Sequence, residues 1–367
     1  MSTPSPHVGI AGAGLVGRLL AWRLLRAGCR VSLFDARARG DRSSAGPTAA
    51  AMLSPTAELA AADAAIHELG MASLQLWPQW LQQLHAAGGG EVYFRREGTL
   101  VVAHRADRGA LAHYASLLRA HLPRGGADGL LEAVDAPRIA ALEPLLDGRF
   151  ADGLFLPQEG QLANDQLYVA LACVLDAMLA AAGGAWHEHV EIAALTPRAL
   201  HDAHGGRHDV DLAVDCRGVG ARGDLAGLHG VRGEVLTVSA PGVELRRPVR
   251  LIHPRYALYV APRPGGQFIV GATELDSEDA GAPTLRSTLE LGSALYSVHP
   301  EFGEARVQRL AASLRPALPD HQPIAAPDAG GVWRINGLFR HGYLIAPALV
   351  QRAARDIAAA LELRDAA

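Results

Sequence analysis

The sequence predicts an α/β protein in which a parallel unit opens the chain and a second, α+β lobe carries a mainly antiparallel sheet. Three observations lead there: a strand, a glycine turn and a helix in immediate succession at the start, alternating strand runs through the middle, and helix-forming runs at both ends. With 367 residues, 49% of them hydrophobic, the chain is long enough to bury two cores.

The first element is His7-Val-Gly-Ile-Ala11, a short apolar strand followed directly by Gly12-Ala-Gly14-Leu-Val-Gly17. A helix to about Ala27 carries Leu15, Leu19, Leu20 and Leu24 on one side, and Gly28 ends it. Arg30-Val-Ser-Leu-Phe34 is a second strand, ending in Asp35. This order has a mechanism. Gly12 permits the tight turn, Gly14 lets a pyrophosphate approach the backbone, Gly17 lets the helix pack on the sheet, and Asp35 accepts from a ribose hydroxyl. The motif leaves FAD and NAD both open. NADP fits poorly, because Asp35 would repel a 2′-phosphate, and Arg37 and Arg39 read as solvated surface residues. Gly218-Val-Gly220-Ala-Arg-Gly223 also matches the glycine spacing, but Gly227 and Gly230 interrupt any helix after it. One dinucleotide is therefore expected.

Strand runs fall at Tyr93 to Phe94, Thr99 to Ala103, Glu234 to Val238, Ala257 to Ala261 and Gln267 to Gly271. The last two, joined by Arg263-Pro-Gly-Gly266, predict an antiparallel hairpin. Helical runs fall at Thr56 to Leu84, Ala110 to Leu122, Asp165 to Ala182 and Pro347 to Leu363. Two discontinuous domains are expected, one from 1–85, 140–225 and 310–367, the other from 86–139 and 226–309.

Composition excludes several function classes. A net charge of −4 with pI near 6.5, and no long Lys/Arg run, gives no general attraction to nucleic acid or anionic lipid. Leu167 to Ala182 carries Asp176 and is shorter than a bilayer span, so it reads as a buried helix. Met1 to Pro6 lacks the order of a secretory signal, so a cytoplasmic location is expected. Cys29, Cys173 and Cys216 are far apart and read as reduced thiols. His187, His189, His201, His204 and His208 cluster in sequence without the fixed spacing of a ligand set, so no metal is expected. Trp77 and Trp80 read as core packing, and no Gly-x-Ser-x-Gly elbow supports hydrolysis.

Beyond Asp35 the chain resembles, over nearly its whole length, the FAD-dependent amine and amino-acid oxidases that include D-amino acid oxidase, sarcosine oxidase and, most closely, glycine oxidase. The resemblance rests on Thr48-Ala-Ala-Ala-Met-Leu53, Phe155-Leu-Pro-Gln-Glu-Gly160-Gln161, Tyr259-Val-Ala-Pro-Arg263, Ile269-Val-Gly-Ala-Thr273-Glu274, Leu314-Arg315-Pro316 with Asp320 and Pro323, and Asn336-Gly-Leu-Phe-Arg340-His-Gly-Tyr-Leu-Ile-Ala-Pro347. It implies a Rossmann-type FAD-binding domain and an α+β substrate domain. The FAD contacts it implies come from Gly12, Gly14, Leu15, Val16, Gly17, Asp35, Ala36, Arg37, Thr48, Ala50, Ala51, Met52, Val190 and Gly218. Arg315, Arg340, His341, Gly342, Tyr343 and Leu344 complete that set, and the catalytic set is Arg315, Tyr259, Glu274 and Arg340.

The reaction implied is oxidation of the C–N bond of a small amino acid or amine by hydride transfer to flavin N5, with O₂ as acceptor. A dehydrogenase passing electrons to a quinone or carrier, a flavin domain acting on a modified tRNA uridine, and a flavin-binding protein without turnover remain open alternatives. Pro347 is expected as the first residue of a helix whose positive end faces the flavin ring. Two departures stand out: Ala51 where glycine oxidase has Gly, and Glu274 where it has Met. Glu274 is expected to face the substrate and pair with a substrate cation or with Arg340. No cysteine falls where sarcosine oxidase attaches its flavin, so FAD is expected to be noncovalent.

Overall fold

The computed structural model describes residues 5–122, 129–253 and 256–362, with the side chains of 256 and 257 excepted. The expected helix end at Leu363 and the first residues, Met1 to Pro4, lie outside the described residues.

His7–Ala11 is almost fully buried and sits at the centre of a six-stranded sheet, parallel to Arg30–Phe34 on one side and Leu212–Asp215 on the other. Ala185–His187 and Trp333–Asn336 extend the parallel pairing, and Ile324–Pro327 closes one edge antiparallel. Buried parallel strands need cover on both faces. Helices Leu15–Arg26, Ala64–Leu84, Asn164–Ala181 and Gly342–Ala360 supply it on one side, contributing Leu19, Trp22, Trp77, Leu171 and Val350 to one core. The meander Ile192–Thr196, Ala199–Asp202, Arg207–Asp209 covers the other, seating Leu200 against Gly9, where a Cβ would approach to 2.3 Å.

Asn164–Ala181 is long and apolar enough to cross a membrane by composition, with mean hydropathy 1.2. Its buried positions, Leu167, Ala170, Leu171, Val174, Leu175 and Leu179, recur at helical spacing and pack into the core.

The second sheet has eight strands, in the order Arg306–Ala317, His229–Ser239, Gln267–Gly271, Tyr256–Arg263, Val249–His253, Thr99–Ala103, Asp152–Leu156, Glu132–Asp135. The 263–266 turn joins an antiparallel pair as expected, with Tyr259 opposite Gly271. Side chains alternate between its faces. Val249, Leu251, Leu258, Val260, Phe268 and Val270 pack beneath helix Leu285–Val298. Arg250, Tyr259, Ala261 and Arg263 therefore point to the opposite face, toward the nucleotide-type lobe. Thr99–Ala103 is buried throughout because it is covered twice, by Leu100 and Val102 in one core and Val101 and Ala103 in another with helix Arg108–His121.

Two stretches cross the expected domain boundaries. Asp152–Leu156 pairs with Thr99–Ala103, and Arg306–Ala317 pairs along its length with His229–Ser239, so both belong to the large sheet.

Two helices differ from expectation. The run from Thr56 divides into Pro55–Glu58 and Ala64–Leu84, with Asp63 at the second N-cap. The last helix starts at Gly342, so Pro347 is interior and not its first residue. An interior proline leaves the carbonyl four residues earlier without its helical N–H. That carbonyl is Tyr343's, and the indole of Trp77 donates to it at 3.0 Å. Ala348 N–H, one residue on, donates to Ser73 Oγ at 3.1 Å.

Candidate active site

The three motif glycines have different roles. Gly12 has φ +95°, and a Cβ there would lie 2.4 Å from the Cys216 carbonyl oxygen. A Cβ on Gly17 would lie 1.8 Å from the Gly12 carbonyl oxygen, so that glycine is needed for the helix to sit on the turn. A Cβ on Gly14 would meet nothing within 4 Å. Its smallness thus serves something other than the protein's own packing. Gly14 is also the N-cap of Leu15–Arg26, without a side-chain cap and with no acid in the first turn, so the free N–H groups there suit an anion.

Asp35 is fixed at the end of its strand by Ala13 N–H at 2.7 Å and Arg37 N–H at 2.9 Å, while Val190 N–H donates to its backbone carbonyl at 2.9 Å. Ala36 and Arg37 are exposed beside it, and Val16 is half-buried in the first helical turn. Arg39, expected as a solvated residue, is instead ion-paired with Glu188 at 2.8 Å and with Asp176.

The small-residue loop is tied down from several directions. Asn164 Nδ2 donates to the carbonyls of Pro47 at 3.0 Å and Ala49 at 2.7 Å, Leu162 N–H to Ala51 at 3.2 Å, and Arg263 to Ala50. Thr48 is buried and donates to the Ser44 carbonyl at 3.0 Å, Ala51 adopts φ +49°, and Met52 begins the strand that pairs with Gly160–Leu162. Arg263 is buried without a carboxylate partner among the described residues, bonding instead to Gln161 and two backbone carbonyls. Burial lowers its pKa to about 10. Sequence reasoning gave Asn164 and Arg263 no role, although residue 263 shares its strand face with Tyr259.

Across from this loop the large sheet presents Tyr259 and Arg315 over a floor of glycines. A Cβ on Gly271 would lie 2.7 Å from the Tyr259 hydroxyl, and one on Gly233 would lie 2.2 Å from Arg315 Nη2. Arg315 Nη2 donates to the Thr273 carbonyl at 2.9 Å, while Nη1 is buried with no partner. Among the described residues Arg315 has no ion pair: Glu274 is taken by Arg340, and Asp320 accepts from Gln322 N–H. Burial lowers its pKa, against the pull of Tyr259 and Glu274. Burial raises the pKa of Tyr259, outweighing Arg315, Arg250 and Arg263, so the phenol keeps its proton at neutral pH and can donate.

Arg340 lies in the turn Phe339–His341 just before the last helix, with Nε donating to Glu58 Oε2 at 2.9 Å and Nη1 to Glu274 Oε2 at 3.0 Å. Of the two partners expected for Glu274, the structure supplies Arg340. His341 Nε2 meets Glu58 Oε2 at 3.2 Å, and Arg250 Nη2 reaches Glu58 Oε1 at 3.3 Å. Burial alone would raise the Glu58 pKa, but the His341 bond and the charges of Arg340 and Arg250 hold it well below the ordinary carboxylate range.

Next to these residues a cleft of about 220 Å³ is lined by Ile66, Glu274, Asp320, His321, Arg340 and His341. Gly342 borders Leu15, and Tyr343 donates to the Gly46 carbonyl at 3.0 Å. The side chains of Leu15 and Leu344 are packed in the core, which leaves only their backbone for the cofactor contact expected of them. Gly218, φ +58°, stands next to Pro316 and accepts from Asn336 Nδ2 at 3.0 Å. Among the described residues no three His, Cys, Asp or Glu side chains are grouped to hold a metal ion.

An open cradle at a helix amino end, a fixed carboxylate beside it and a buried guanidinium on the sheet across from a tethered loop suit a dinucleotide-dependent oxidoreductase. The chain belongs to the DAO family of FAD-dependent oxidoreductases, which matches residues 7–355. A protein of Rhizobium etli named as the thiamine biosynthesis oxidoreductase ThiO is 40% identical over 349 residues, 95% of each chain. Glycine oxidase of Bacillus licheniformis is 26% identical, covering 92% of this chain and 89% of that protein. The crystal structure of glycine oxidase from Bacillus cereus superposes with TM-score 0.82 at 21% identity, covering 97% of this chain and 96% of the other. An iminodiacetate oxidase from Chelativorans has the same fold, TM-score 0.79 at 21% identity, covering 96% and 95%.

Proposed function

We propose that this protein is an amino-acid oxidase, oxidising the C–N bond of a small α-amino acid with FAD held noncovalently and O₂ as the final acceptor. The observation that carries the reading is Arg315. A buried guanidinium with one nitrogen on a carbonyl and another without any partner is costly unless an anion completes it. A carboxylate does so with two parallel hydrogen bonds, which fixes the carbon bearing the nitrogen.

FAD would be held by the Gly12–Gly17 turn, Asp35, the Thr48–Met52 loop and the amino end at Gly342. Bound there, it supplies the two-electron acceptor for the substrate C–H. The protein's own part is orientation. Arg315 anchors the carboxylate, Tyr259 adds a neutral donor beside it, and Arg340, clamped between Glu58 and Glu274, forms the wall next to the cleft. The three cysteines are free thiols, Cys29 and Cys216 buried and Cys173 exposed, which fits a reducing cytoplasmic setting.

The test is anaerobic mixing of the purified yellow protein with glycine, sarcosine, D-alanine and methylamine, followed by air. The amino acids bleach the flavin and peroxide forms on reoxidation, whereas methylamine, which has no carboxylate, does not reduce it. Reduction by methylamine as effective as by glycine would overturn the reading.

A further inference from the structure

Resting on the amino-acid reading above, we propose that Glu58 is a specificity-determining carboxylate: by neutralising Arg250 and Arg340 it leaves Arg315 as the single anion receptor and restricts the substrate to amino acids with one carboxylate.

Three guanidinium groups belong to the substrate face. Arg250 stands opposite Tyr259 in an antiparallel pair, so both project to the same side of the large sheet. Arg315 lies over Gly233 on the same face, and Arg340 approaches from the segment that precedes the last helix. Left uncompensated, three such groups would form a pocket for a di- or trianion.

Two acids alter that outcome. Glu58 ends the short helix that follows the small-residue loop, and its side chain is only 13% exposed. Its two oxygens are divided between partners, Oε1 taking Arg250 and Oε2 taking Arg340 and His341. Glu274 holds the outer side of Arg340. Arg263 also lacks a carboxylate partner, but unlike Arg315 it has both Nη atoms bonded, to Gln161 and to the Pro262 and Ala50 carbonyls, which ties it into the loop segment, and Glu159 is held there by Ala57 N–H at 2.7 Å.

The consequence for substrate selection is direct. A carboxylate on Arg315 completes an orphaned guanidinium. A second carboxylate on the same substrate meets guanidinium groups whose charge is already paired, Arg250 with Glu58 and Arg340 with Glu58 and Glu274, and the two acids repel it in a partly desolvated site where such repulsion is weakly screened. The acidic rim at Asp63 and Asp320 adds to this. Binding strength alone does not distinguish a specificity role from a structural one, but discrimination between isosteric ligands of different charge does.

The experiment compares malonate with its monoamide as ligands of the oxidised FAD-loaded protein at pH 8, read by perturbation of the flavin spectrum. In the wild-type protein the monoamide binds at least tenfold more tightly. Glu58→Gln erases or reverses that preference, and Glu58→Asp retains it. Where Glu58→Gln does not retain FAD, Arg250→Gln is read instead; it leaves Glu58 with surplus negative charge, so the preference grows. Equal binding of the two ligands by the wild type, a preference unchanged in FAD-loaded Glu58→Gln, or one unchanged in Arg250→Gln would each overturn the proposal. Binding of neither ligand, nor of acetate, by the wild type would overturn the amino-acid reading and the inference with it.

Discussion

Replacing Arg315 by leucine tests the core of the functional reading, and its effect can be worked out from what surrounds the guanidinium. In the free protein Arg315 has one hydrogen bond, to the Thr273 carbonyl, one buried nitrogen without a partner, and no ion pair among the described residues. Its lowered pKa reflects the burial of an uncompensated charge. A bound carboxylate supplies the missing partner. Losing one member of a desolvated charge pair costs about 2 to 5 kcal/mol, and each 1.4 kcal/mol is about tenfold, so carboxylate binding should weaken by roughly 30-fold to several thousandfold. Stability should respond differently. The variant loses one hydrogen bond, worth about 1 kcal/mol, but also loses a desolvated cation, and the glycine floor beneath accommodates a shorter apolar chain. FAD content and melting temperature should therefore stay close to wild type. The assay is a flavin-absorbance titration with acetate at pH 8, alongside a thermal melt. Arg315→Lys, which keeps the charge but not the two-pronged geometry, should fall between the two proteins. Unchanged acetate affinity in Arg315→Leu, or collapse of the fold, would refute the carboxylate role.

The cradle makes opposite predictions for two glycines: Gly14→Val should fold normally and lose FAD, because nothing in the protein lies within 4 Å of the added carbon, whereas Gly17→Val should fail to fold against the Gly12 carbonyl. Stoichiometric FAD in purified Gly14→Val would remove Gly14 from the site. Trp77→Phe should cost about 1 to 3 kcal/mol in urea unfolding, since it orphans the Tyr343 carbonyl that Pro347 cannot serve; adding Pro347→Ala should recover part of the loss by restoring a helical N–H, and no recovery would assign the cost to packing alone. For acid stability, Glu58 has a lower pKa folded than its ordinary 4.5, so its contribution is complete above about pH 4.5 and is lost as pH falls below that. The melting-temperature gap between wild type and Glu58→Gln should accordingly be constant from pH 8 to 6 and narrow below pH 4.5; a gap that stays constant to pH 3.5 would show that the Glu58 pKa is not depressed.

The sequence disclosed those parts of the fold in which local pattern and tertiary role coincide. Gly12 to Gly17 between two apolar strands is one, and the Tyr259–Gly271 hairpin with its Pro-Gly-Gly turn is another. It failed where the pattern has no contrast. Tyr343 to Ala346 are all buried, so no periodic signal marks the helix turn before Pro347, and the proline reads as the helix start it often is. The alanine-rich run from Thr56 to Asp63 is equally compatible with one helix or two. Leu154-Phe155-Leu156 is absent from the strand runs above, and three apolar residues do not say which sheet would receive them. The site divides along a related line. Arg250, Tyr259 and Arg263 lie on one face of adjacent strands, so an alternating pattern is enough to place these polar groups together once the strands are known. Their counter-charges are not so placed: Glu58 meets Arg250 and Arg340 across 192 and 282 residues of chain, from a four-residue helix with no motif of its own. Which cations share the Tyr259 side of the sheet is thus written in strand periodicity and motif, while which of them lacks a carboxylate partner is decided by acids that only the folded chain brings near. On the proposed reading Arg315 is the receptor because Glu58 and Glu274 are committed elsewhere, and a net charge of −4 over the whole chain says nothing about that local arrangement.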